Sequence, residues 1–264
     1  PLLAALGGPV APGSWAGGLP LTYRIGPGPA IVHLKIEFNW DLAPAYDVIA
    51  TLQGSTYPDE WIIRGNHHHA WVHGANDPIS GMVTVMEEAR AVSELVKTGW
   101  RPKRTLKYCA WGAEEPGLLG STEWVETHAE ELKKKAIAYI NTDGTGRGYL
   151  NAGGSHTLEK FFGEITEEIE DPTHGSSLLD RRSAKSRADG NDALSHFPLS
   201  ALGSGSDYSP FFQHLGIAAF NIGFGGESSG GEYHTMYDSY EHYKRFKDPD
   251  FRYGATLVKV AGRT

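Results

Sequence analysis

Four histidines lie within seven positions of the stretch "GNHHHAWVHGANDP", residues 65 to 78, which ends with an aspartate before a proline. Imidazole nitrogens and carboxylate oxygens are donors that proteins offer to zinc and similar divalent metals. A histidine-rich loop is also typical of a solvated polar turn. The choice between a metal site and a turn therefore depends on the partners that the rest of the chain supplies.

Further carboxylates and histidines occur where predicted strands end. Glu114 and Glu115 come shortly after "TLKYCAW", and Asp143 closes "AIAYINT". His67 closes "EWIIRGN", His234 comes shortly after "IAAFNIGF", and a loop before the first long helix holds one more acid, Asp77. In an open α/β sheet, ligands bind at the carboxyl ends of the strands. These side chains are therefore expected to meet at one edge.

The chemistry that suits this set is a hydrolytic site with two metal ions. Two zinc ions need about seven or eight N or O ligand atoms, including water. A bridging carboxylate, with one histidine and one carboxylate at each ion, provides such a set. In the pair Glu114-Glu115, one member would bind metal and the other would accept a proton from water. Taken singly, each of these histidines and carboxylates is more typical of a solvated turn or cap residue. Their occurrence together at successive strand ends favours the metal site.

The elements that position these residues follow from apolar periodicity. "IVHLKIEFNW" (residues 31–40) alternates and favours a half-exposed antiparallel strand, and "YDVIATLQG" and "EWIIRGN" favour two more strands. Apolar residues recur at helical spacing from Pro78 to Gly99. "TLKYCAW" predicts a buried strand, "STEWVETHAEELKKKA" a helix and "AIAYINTD" another strand. The alternation predicts a three-layer α/β/α fold with a mixed, mostly parallel central sheet.

The rest of the chain continues this pattern. "SHTLEKFFGEITEEI" predicts a helix opened by Ser155, and the polar, glycine-rich residues 171–206 predict a long loop that faces the site. "YSPFFQHLG" favours a short helix, "IAAFNIGF" favours a strand, and the end is predicted to be helical from about residue 238. One domain over residues 1–264 is the expected organisation.

Charge and composition exclude several functional classes. The net charge of -8 gives no basis for nucleic-acid binding. The single cysteine, Cys109, excludes an internal disulfide framework and lies in an apolar run, where a buried, inert thiol is expected. No window approaches 18 continuous apolar residues, so no membrane span is predicted. The first residues lack a signal-peptide pattern, and the chain is expected to be a piece of a longer protein.

Five segments carry a resemblance to a known family: "GNHHHAWVHGANDPISG", "AWGAEEPGLLGSTEW", "AYINTDG", "LGSGSDYSPFFQHLGI" and "YHTMYDSYE". They resemble the M28-type co-catalytic zinc exopeptidases, a family that includes glutamate carboxypeptidase II and, as a non-catalytic relative, the transferrin receptor ectodomain. The resemblance extends from about Leu2 to the end of the chain. It implies a two-zinc peptidase that removes one terminal residue from a peptide or aminoacyl substrate.

The resemblance also implies a role for each matching residue. His67 and Asp143 would bind one Zn²⁺, Glu115 and His234 would bind the other, and Asp77 would bridge the two. The general base would be Glu114, and Tyr233 would hydrogen-bond the oxyanion. The supporting or substrate-contacting positions would be His69, Gly205, Ser206 and Asp207. On this interpretation His68, His69 and His73 are not ligands.

Two positions depart from the family pattern. The pattern His-Xaa-Asp has His69 at its third position here, and the aspartate expected two residues before the glutamate pair is Gly112. Loss of a carboxylate that orients a ligand histidine typically costs about 10- to 100-fold in metal affinity or activity. A neutral His69 imidazole is expected to accept the same hydrogen bond without supplying a charge.

The resemblance carries further expectations and leaves alternatives open. Relatives insert a protease-associated domain and add a helical dimerisation domain, neither of which is visible here, so a homodimer is expected only of the full-length protein. An extracytoplasmic location is also implied. The alternatives are a catalytically inactive transferrin receptor-like scaffold and a single-zinc acyltransferase resembling glutaminyl cyclases. Arg181, Arg182 and Arg187 would bind an acidic substrate or remain solvated loop charges.

Overall fold

The computed structural model describes residues 2–227 and 230–264. The chain divides into two compact units, residues 1–43 and residues 44–264, and every predicted site residue lies in the second. The prediction of a single domain over the whole chain stays a prediction. Among the described helices, none combines the length and the apolar character needed to cross a bilayer.

Six strands of the second unit form one sheet in the order β1-β3-β2-β4-β6-β5. The strands are β1 (Val48–Leu52), β2 (Tyr57–His67), β3 (Arg104–Trp111), β4 (Ala136–Asn141), β5 (Gly148–Gly154) and β6 (Ala218–Gly226). The four central strands run parallel, whereas β1 and β5 pair antiparallel at the two edges. The mixed, mostly parallel sheet predicted from the sequence is confirmed.

Helices cover both faces of this sheet. They are α1 (Ser80–Lys97), α2 (Leu119–Thr127), α3 (Ala129–Lys135), α4 (Glu159–Glu168), α5 (Leu178–Ala188), α6 (Tyr240–His242) and α7 (Arg252–Arg263). Adjacent residues of β4 show the two cores, because successive strand side chains point to opposite faces. Tyr139 packs with Trp111 and Phe211, whereas Ile140 packs with Phe162 and other residues of the second cluster. The predicted α/β/α layering is therefore confirmed.

The first long helix is found where the periodicity predicts it, but its apolar stripe faces outward. Val83 and Met86 are exposed, whereas the buried stripe contains the small residues Gly81 and Thr84. Gly81 lies against the backbone of Asp143, where an added Cβ would stand 1.7 Å from the carbonyl oxygen. Only glycine permits this close approach, which packs the start of α1 against the strand end that carries Asp143.

Three other predictions about elements need correction. The predicted helix over residues 121–136 is divided into α2 and α3, because the backbone of His128 leaves the helical region with φ -105° and ψ 15°. Residues 171–206 are not a continuous loop, since they contain α5. The helix predicted to open at Ser155 begins as a 3-10 turn, His156–Leu158, and becomes α-helical at Glu159.

The strand predicted for residues 31–40 does not form, so this prediction is wrong. The segment has no regular structure, and its alternating apolar side chains, such as Ile31 and Trp40, are exposed. A strand is stable only when its backbone groups pair with a neighbouring strand. Alternation alone predicts a face and does not supply that partner. The strand β5 was not predicted, because its glycines weaken the local strand pattern. It forms because it pairs antiparallel with β6, which supplies the hydrogen-bonding partner that residues 31–40 lack.

Candidate metal centre

The carboxyl ends of the parallel strands bring the predicted residues together. His67 is the last residue of β2, which lies between β3 and β4 in the sheet. Glu114 and Glu115 follow the end of β3, and Asp143 follows the end of β4. Because these three strands are adjacent and parallel, their final residues converge on one edge. The loop after β6 brings His234 to the same edge.

His67 is oriented by contacts at both of its ring nitrogens. Its Nε2 lies 3.3 Å from Asp77 Oδ1 and 3.3 Å from Asp143 Oδ1. Its Nδ1 lies 3.0 Å from the backbone carbonyl oxygen of His69. A proton on Nδ1 donates to that carbonyl, which leaves the Nε2 lone pair directed between the two carboxylates. His67 is 1% exposed, so this orientation is held by the surrounding protein.

A second group of donors surrounds His234. Its Nε2 lies 2.9 Å from Glu115 Oε2 and 3.1 Å from Asp77 Oδ2. The other oxygen of Glu115 accepts a hydrogen bond from the backbone N–H of Trp71 at 3.1 Å. The His234 ring also stacks with Trp71 at 5.7 Å and with Tyr233 at 3.8 Å between ring centroids. The imidazole is therefore fixed by two aromatic rings and faces two carboxylates.

Asp77 belongs to both groups. One group of closely spaced donors comprises His67, Asp77 and Asp143, and a second comprises Asp77, Glu115 and His234. Asp77 directs Oδ1 toward the first histidine and Oδ2 toward the second. Oδ1 is buried and has no hydrogen-bond partner among the described residues, a state that is costly for a carboxylate. Divalent cations fit this arrangement, because they satisfy carboxylate oxygens and imidazole nitrogens together.

The protonation of His67 also shows that this site favours a positive charge. Burial lowers the pKa of its imidazole, but the neighbouring carboxylates of Asp143 and Asp77 raise it more strongly, to about 11. Three carboxylates around the two histidines thus favour a cation between them. Without a metal, a proton supplies that charge, so protons and metal ions compete for the same nitrogen.

Backbone strain is concentrated at this edge. Ala113, Asp143 and His234 have φ values of 51°, 39° and 54°, in the left-handed region that residues other than glycine rarely occupy. Such conformations persist only where the surrounding structure fixes them, and they cluster at functional sites. Two of these residues carry candidate ligands, and the third directly precedes Glu114. The fold therefore holds the donors in place at an energetic cost.

Two residues that the sequence analysis did not select also hold the donors. The Asp238 carboxylate accepts hydrogen bonds from the backbone N–H groups of Asn76, at 2.8 Å, and Asp77, at 3.0 Å. Trp71 contacts both Glu115 and His234, as described above. Both residues lie inside motifs that were quoted for the resemblance. Their location close in sequence to predicted ligands was the only signal that could have identified them. Their contacts join segments far apart in the chain, so no local pattern predicts them.

Glu114 lies beside His67 and Glu115, within the same cluster of donors. Its Oε2 is 3.9 Å from His67 Nδ1, and the residue is 8% exposed. Burial, together with the charges of Asp207, Asp143 and Glu115, raises the pKa of Glu114 to about 8. A carboxyl group with a pKa near neutrality can both accept and release a proton. Its position at a cavity of about 390 Å³ gives it access to a bound molecule.

The remaining predicted residues lie at different depths around this cavity. Tyr233 and Gly205 line it, and Tyr233 is 63% exposed. Ser206 is buried and its Oγ accepts a hydrogen bond from Asn141 at 2.9 Å. Asp207 is 0% exposed, so it has no access to solvent. The segment "GSGSD" therefore contributes both a glycine at the surface and buried polar groups.

The structure shows how the two departures from the family pattern are accommodated. The acceptor for His67 Nδ1 is the backbone carbonyl of His69, whereas the His69 imidazole accepts a hydrogen bond from the N–H of Ala113 at 2.6 Å. Gly112 donates its N–H to the carboxylate of Asp47 at 2.8 Å. A Cβ on Gly112 would stand 2.5 Å from the carbonyl oxygen of Tyr46, so glycine is required at this position.

Asp207 provides a prediction about stability that does not involve a metal. Both of its oxygens are buried without hydrogen-bond partners among the described residues, and burial raises its pKa to about 7. Between about pH 4 and about pH 7, the metal-free folded chain keeps a proton on Asp207 that the unfolded chain releases. The free energy of unfolding therefore falls as the pH rises over this range. The substitution Asp207→Asn removes the ionisable group and with it this decrease in stability.

We expect metal-free Asp207→Asn to exceed the parent chain in free energy of unfolding by up to about 4 kcal/mol at pH 8. At pH 4 the two proteins should agree within about 0.5 kcal/mol. Urea unfolding at both pH values measures the difference. A variant that is no more stable at pH 8 would show that Asp207 ionises without cost in the folded chain.

The fold and the donor geometry define an α/β protein with a candidate metal centre at the carboxyl edge of its sheet. The chain belongs to peptidase family M28, because the model of that family matches residues 47–248. The match covers all the predicted ligands and Glu114. The family resemblance stated from the motifs is thus confirmed.

Comparison with individual proteins agrees with this assignment. The chain is 33% identical over 264 residues to the "Probable glutamate carboxypeptidase VP8" of Zea mays, covering 99% of this chain and 36% of that protein. It is 34% identical over 281 residues to the "Aminopeptidase NAALADL1" of Rattus norvegicus, covering 99% and 38%. The chain therefore spans little more than a third of the length of these relatives.

A solved structure has a similar fold. The zinc aminopeptidase BSAP of Bacillus subtilis superposes with a TM-score of 0.57 at 23% sequence identity, covering 82% of this chain and 48% of that protein. At this level of identity the similarity concerns the fold. It supports the α/β architecture described above.

Proposed function

We propose that this chain is the core of an exopeptidase that binds two zinc ions and hydrolyses a terminal peptide bond. The observation that carries the proposal is the position of Asp77, whose two oxygens face Nε2 of His67 and Nε2 of His234 at 3.3 and 3.1 Å. A carboxylate that faces two histidines in this way is suited to bridge two ions. Asp143 would complete the first zinc site and Glu115 the second.

Zinc bound by these residues supplies Lewis acidity, which polarises a carbonyl group and lowers the pKa of water. The chain's own contribution to proton transfer would come from Glu114. Its buried carboxylate would accept a proton from water in the cavity and deliver it to the leaving amine. Positive charge nearby would lower the pKa of Glu114 from about 8 toward neutrality, where a general base is most effective.

Tyr233 would donate a hydrogen bond to the developing oxyanion. Burial and the surrounding carboxylates raise the pKa of its phenol, so the hydroxyl stays protonated and can donate. The residue lines the same cavity as Glu114. Because it stacks on His234, the orientation of its ring is linked to that of the adjacent ligand.

The names of the relatives support exopeptidase activity without selecting a terminus. One similar protein is named as a carboxypeptidase and another as an aminopeptidase. What both names share is removal of a terminal residue. A peptide or aminoacyl compound is therefore the proposed substrate class for this chain.

Hydrolysis of a mixed panel of dipeptides and aminoacyl amides tests this proposal. The zinc-loaded chain should hydrolyse at least one member, lose that activity with a chelator and regain it when zinc is added back. Absence of turnover with zinc bound would favour the inactive scaffold. Transfer of an acyl group with a single bound zinc would favour the cyclase-like alternative.

His69 provides a more specific test of how the site is supported. Its backbone carbonyl holds His67, whereas its side chain holds Ala113, the residue before Glu114. We therefore expect His69→Ala to keep the zinc content of the parent chain but to lower kcat about 10-fold, because a small displacement of a catalytic group is costly. His73→Ala is the control, and unchanged kcat in both variants would exclude this positioning role.

A further inference from the structure

A buried arginine lies on strand β2, three residues before His67. Arg64 is 2% exposed, and β2 is flanked by a strand on each side. Central strands of a parallel sheet are usually apolar, because helices cover both of their faces. A guanidinium in this position is removed from water, so the protein must satisfy its donors. The partners of Arg64 therefore show which parts of the fold it connects.

The guanidinium of Arg64 joins helix α1 to the end of strand β4. On the helix side, its Nε donates to Glu88 Oε2 at 3.1 Å, and its Nη2 donates to Thr84 Oγ1 at 3.0 Å. On the strand side, its Nη1 donates to Thr142 Oγ1 at 3.1 Å and lies 3.3 Å from the carbonyl oxygen of Ile140. One side chain therefore connects β2 with a helix and with the neighbouring strand.

The hydroxyl of Thr142 continues this network to the candidate metal centre. Arginine can only donate, so Thr142 Oγ1 accepts from Arg64 and directs its own proton to a second partner. It donates to Asn66 Oδ1 at 2.9 Å. The amide nitrogen of Asn66 in turn donates to the carbonyl oxygens of His67, at 2.9 Å, and Pro78, at 3.2 Å. The orientation of each group thus depends on the group before it.

Each residue of the first group of donors is next in sequence to a member of this network. The adjacent pairs are Thr142 with Asp143, Asn66 with His67, and Pro78 with Asp77. In this group, His67 Nε2 lies 3.3 Å from both carboxylates. Glu115 and His234, which belong to the second group, are held by Trp71. The network is therefore expected to act on one of the two proposed zinc sites more than on the other.

Stability alone does not account for the buried arginine. A buried ion pair such as Arg64–Glu88 contributes little net stability, because desolvation of the two charges offsets their attraction. What the network fixes is the direction of a polar group beside each candidate ligand. We propose that Arg64 is a positioning residue, which through Thr142 and Asn66 holds His67 and Asp143 at the spacing that the first zinc ion requires. This inference rests on the proposed two-zinc centre.

Zinc affinity, measured by competition with a chromophoric chelator, tests the proposal. Thr142→Val keeps the shape of the side chain and removes its hydroxyl, so one zinc-binding step should weaken about 10- to 100-fold while the other changes less than about threefold. Arg64→Lys should weaken the same step, because its single nitrogen keeps the charge beside Glu88 without the planar fork that reaches both α1 and Thr142. Thr142→Ser keeps the hydroxyl and should bind zinc as the parent chain does.

The matched control is Thr166→Val, since Thr166 is an equally buried threonine on α4. Both zinc affinities of this variant should stay at the parent values. Unchanged affinities in Thr142→Val, or the same loss in Thr166→Val, would overturn the proposal. A loss in Thr142→Val without a loss in Arg64→Lys would assign the role to Thr142 and reject Arg64.

The absence of substrate from this measurement separates the inference from the proposed function. A loss of affinity confined to Thr142→Val and Arg64→Lys would support Arg64 even if the zinc-loaded chain hydrolysed no peptide. Hydrolysis by a parent chain whose zinc affinities these substitutions do not alter would retain the peptidase and reject the role of Arg64.

Discussion

Glu114→Gln is expected to keep its zinc and to lose turnover by about 10²- to 10⁴-fold. The amide has nearly the shape of the carboxylate but cannot accept a proton. Zinc should remain because the proposed ligand atom of His67 is Nε2, whereas Oε2 of Glu114 lies 3.9 Å from Nδ1, the nitrogen that faces the His69 carbonyl. The expected loss therefore concerns proton transfer and leaves the ligand set intact.

Elemental analysis and hydrolysis, measured on the same preparation, test this prediction. Glu126→Gln, on the exposed surface of α2, is the matched control for the change of charge. Turnover within about threefold of the parent chain would remove Glu114 from the mechanism. A loss of zinc would instead place Glu114 among the ligands.

Asp77→Asn is expected to have the second large effect, with zinc content below two per chain and turnover lower by at least about 10³-fold. The amide offers one oxygen and no negative charge, so it cannot serve both His67 and His234. A metal ion typically contributes several kcal/mol of transition-state stabilisation, which corresponds to a loss of this size. The effect should exceed that of replacing any residue that only orients a ligand.

Zinc content and kcat of Asp77→Asn test the bridging role. Asp180→Asn, at an exposed position of α5, controls for the change in charge. Circular dichroism should show that the variant stays folded, since the sheet does not include Asp77. Two zinc ions bound at parental affinity would contradict a bridge through this carboxylate.

The parts of the site that could be predicted are those that follow buried parallel strands. Each of the strands β2, β3 and β4 contains a short apolar run, and a histidine or carboxylate lies at the end of the strand or shortly after it. The parallel arrangement then brings the strand ends together, so His67, Glu115 and Asp143 could be placed at one edge from sequence alone. The family resemblance added the separate roles of Glu114 and Asp77, which spacing alone did not assign.

The supporting contacts could not be predicted in this way. Asp238 holds the backbone of Asp77 across 161 positions of the chain, and Asp47 holds Gly112 across 65. No local pattern encodes either distance. The contacts of His69 could not be predicted either. Its backbone carbonyl contacts His67 and its side chain contacts Ala113, and residue type alone does not indicate whether the backbone or the side chain makes a given hydrogen bond.

The errors in the fold have a similar cause. Residues 31–40 alternate like a strand but have no pairing partner, whereas β5 alternates poorly and pairs along its whole length with β6. The exposed apolar stripe of α1 shows that periodicity identifies a helix without identifying which face is buried. Pairing and packing decide these points, and both are properties of the assembled structure.

The zinc content of the dialysed chain, measured by elemental analysis, is the most direct test of the central claim. A carboxylate facing two histidines, with a further carboxylate at each, predicts two zinc ions per chain. A content of two would agree with the geometry around Asp77 and show that His69 and Gly112 are compatible with metal binding. A content of one or none would contradict the two-zinc centre.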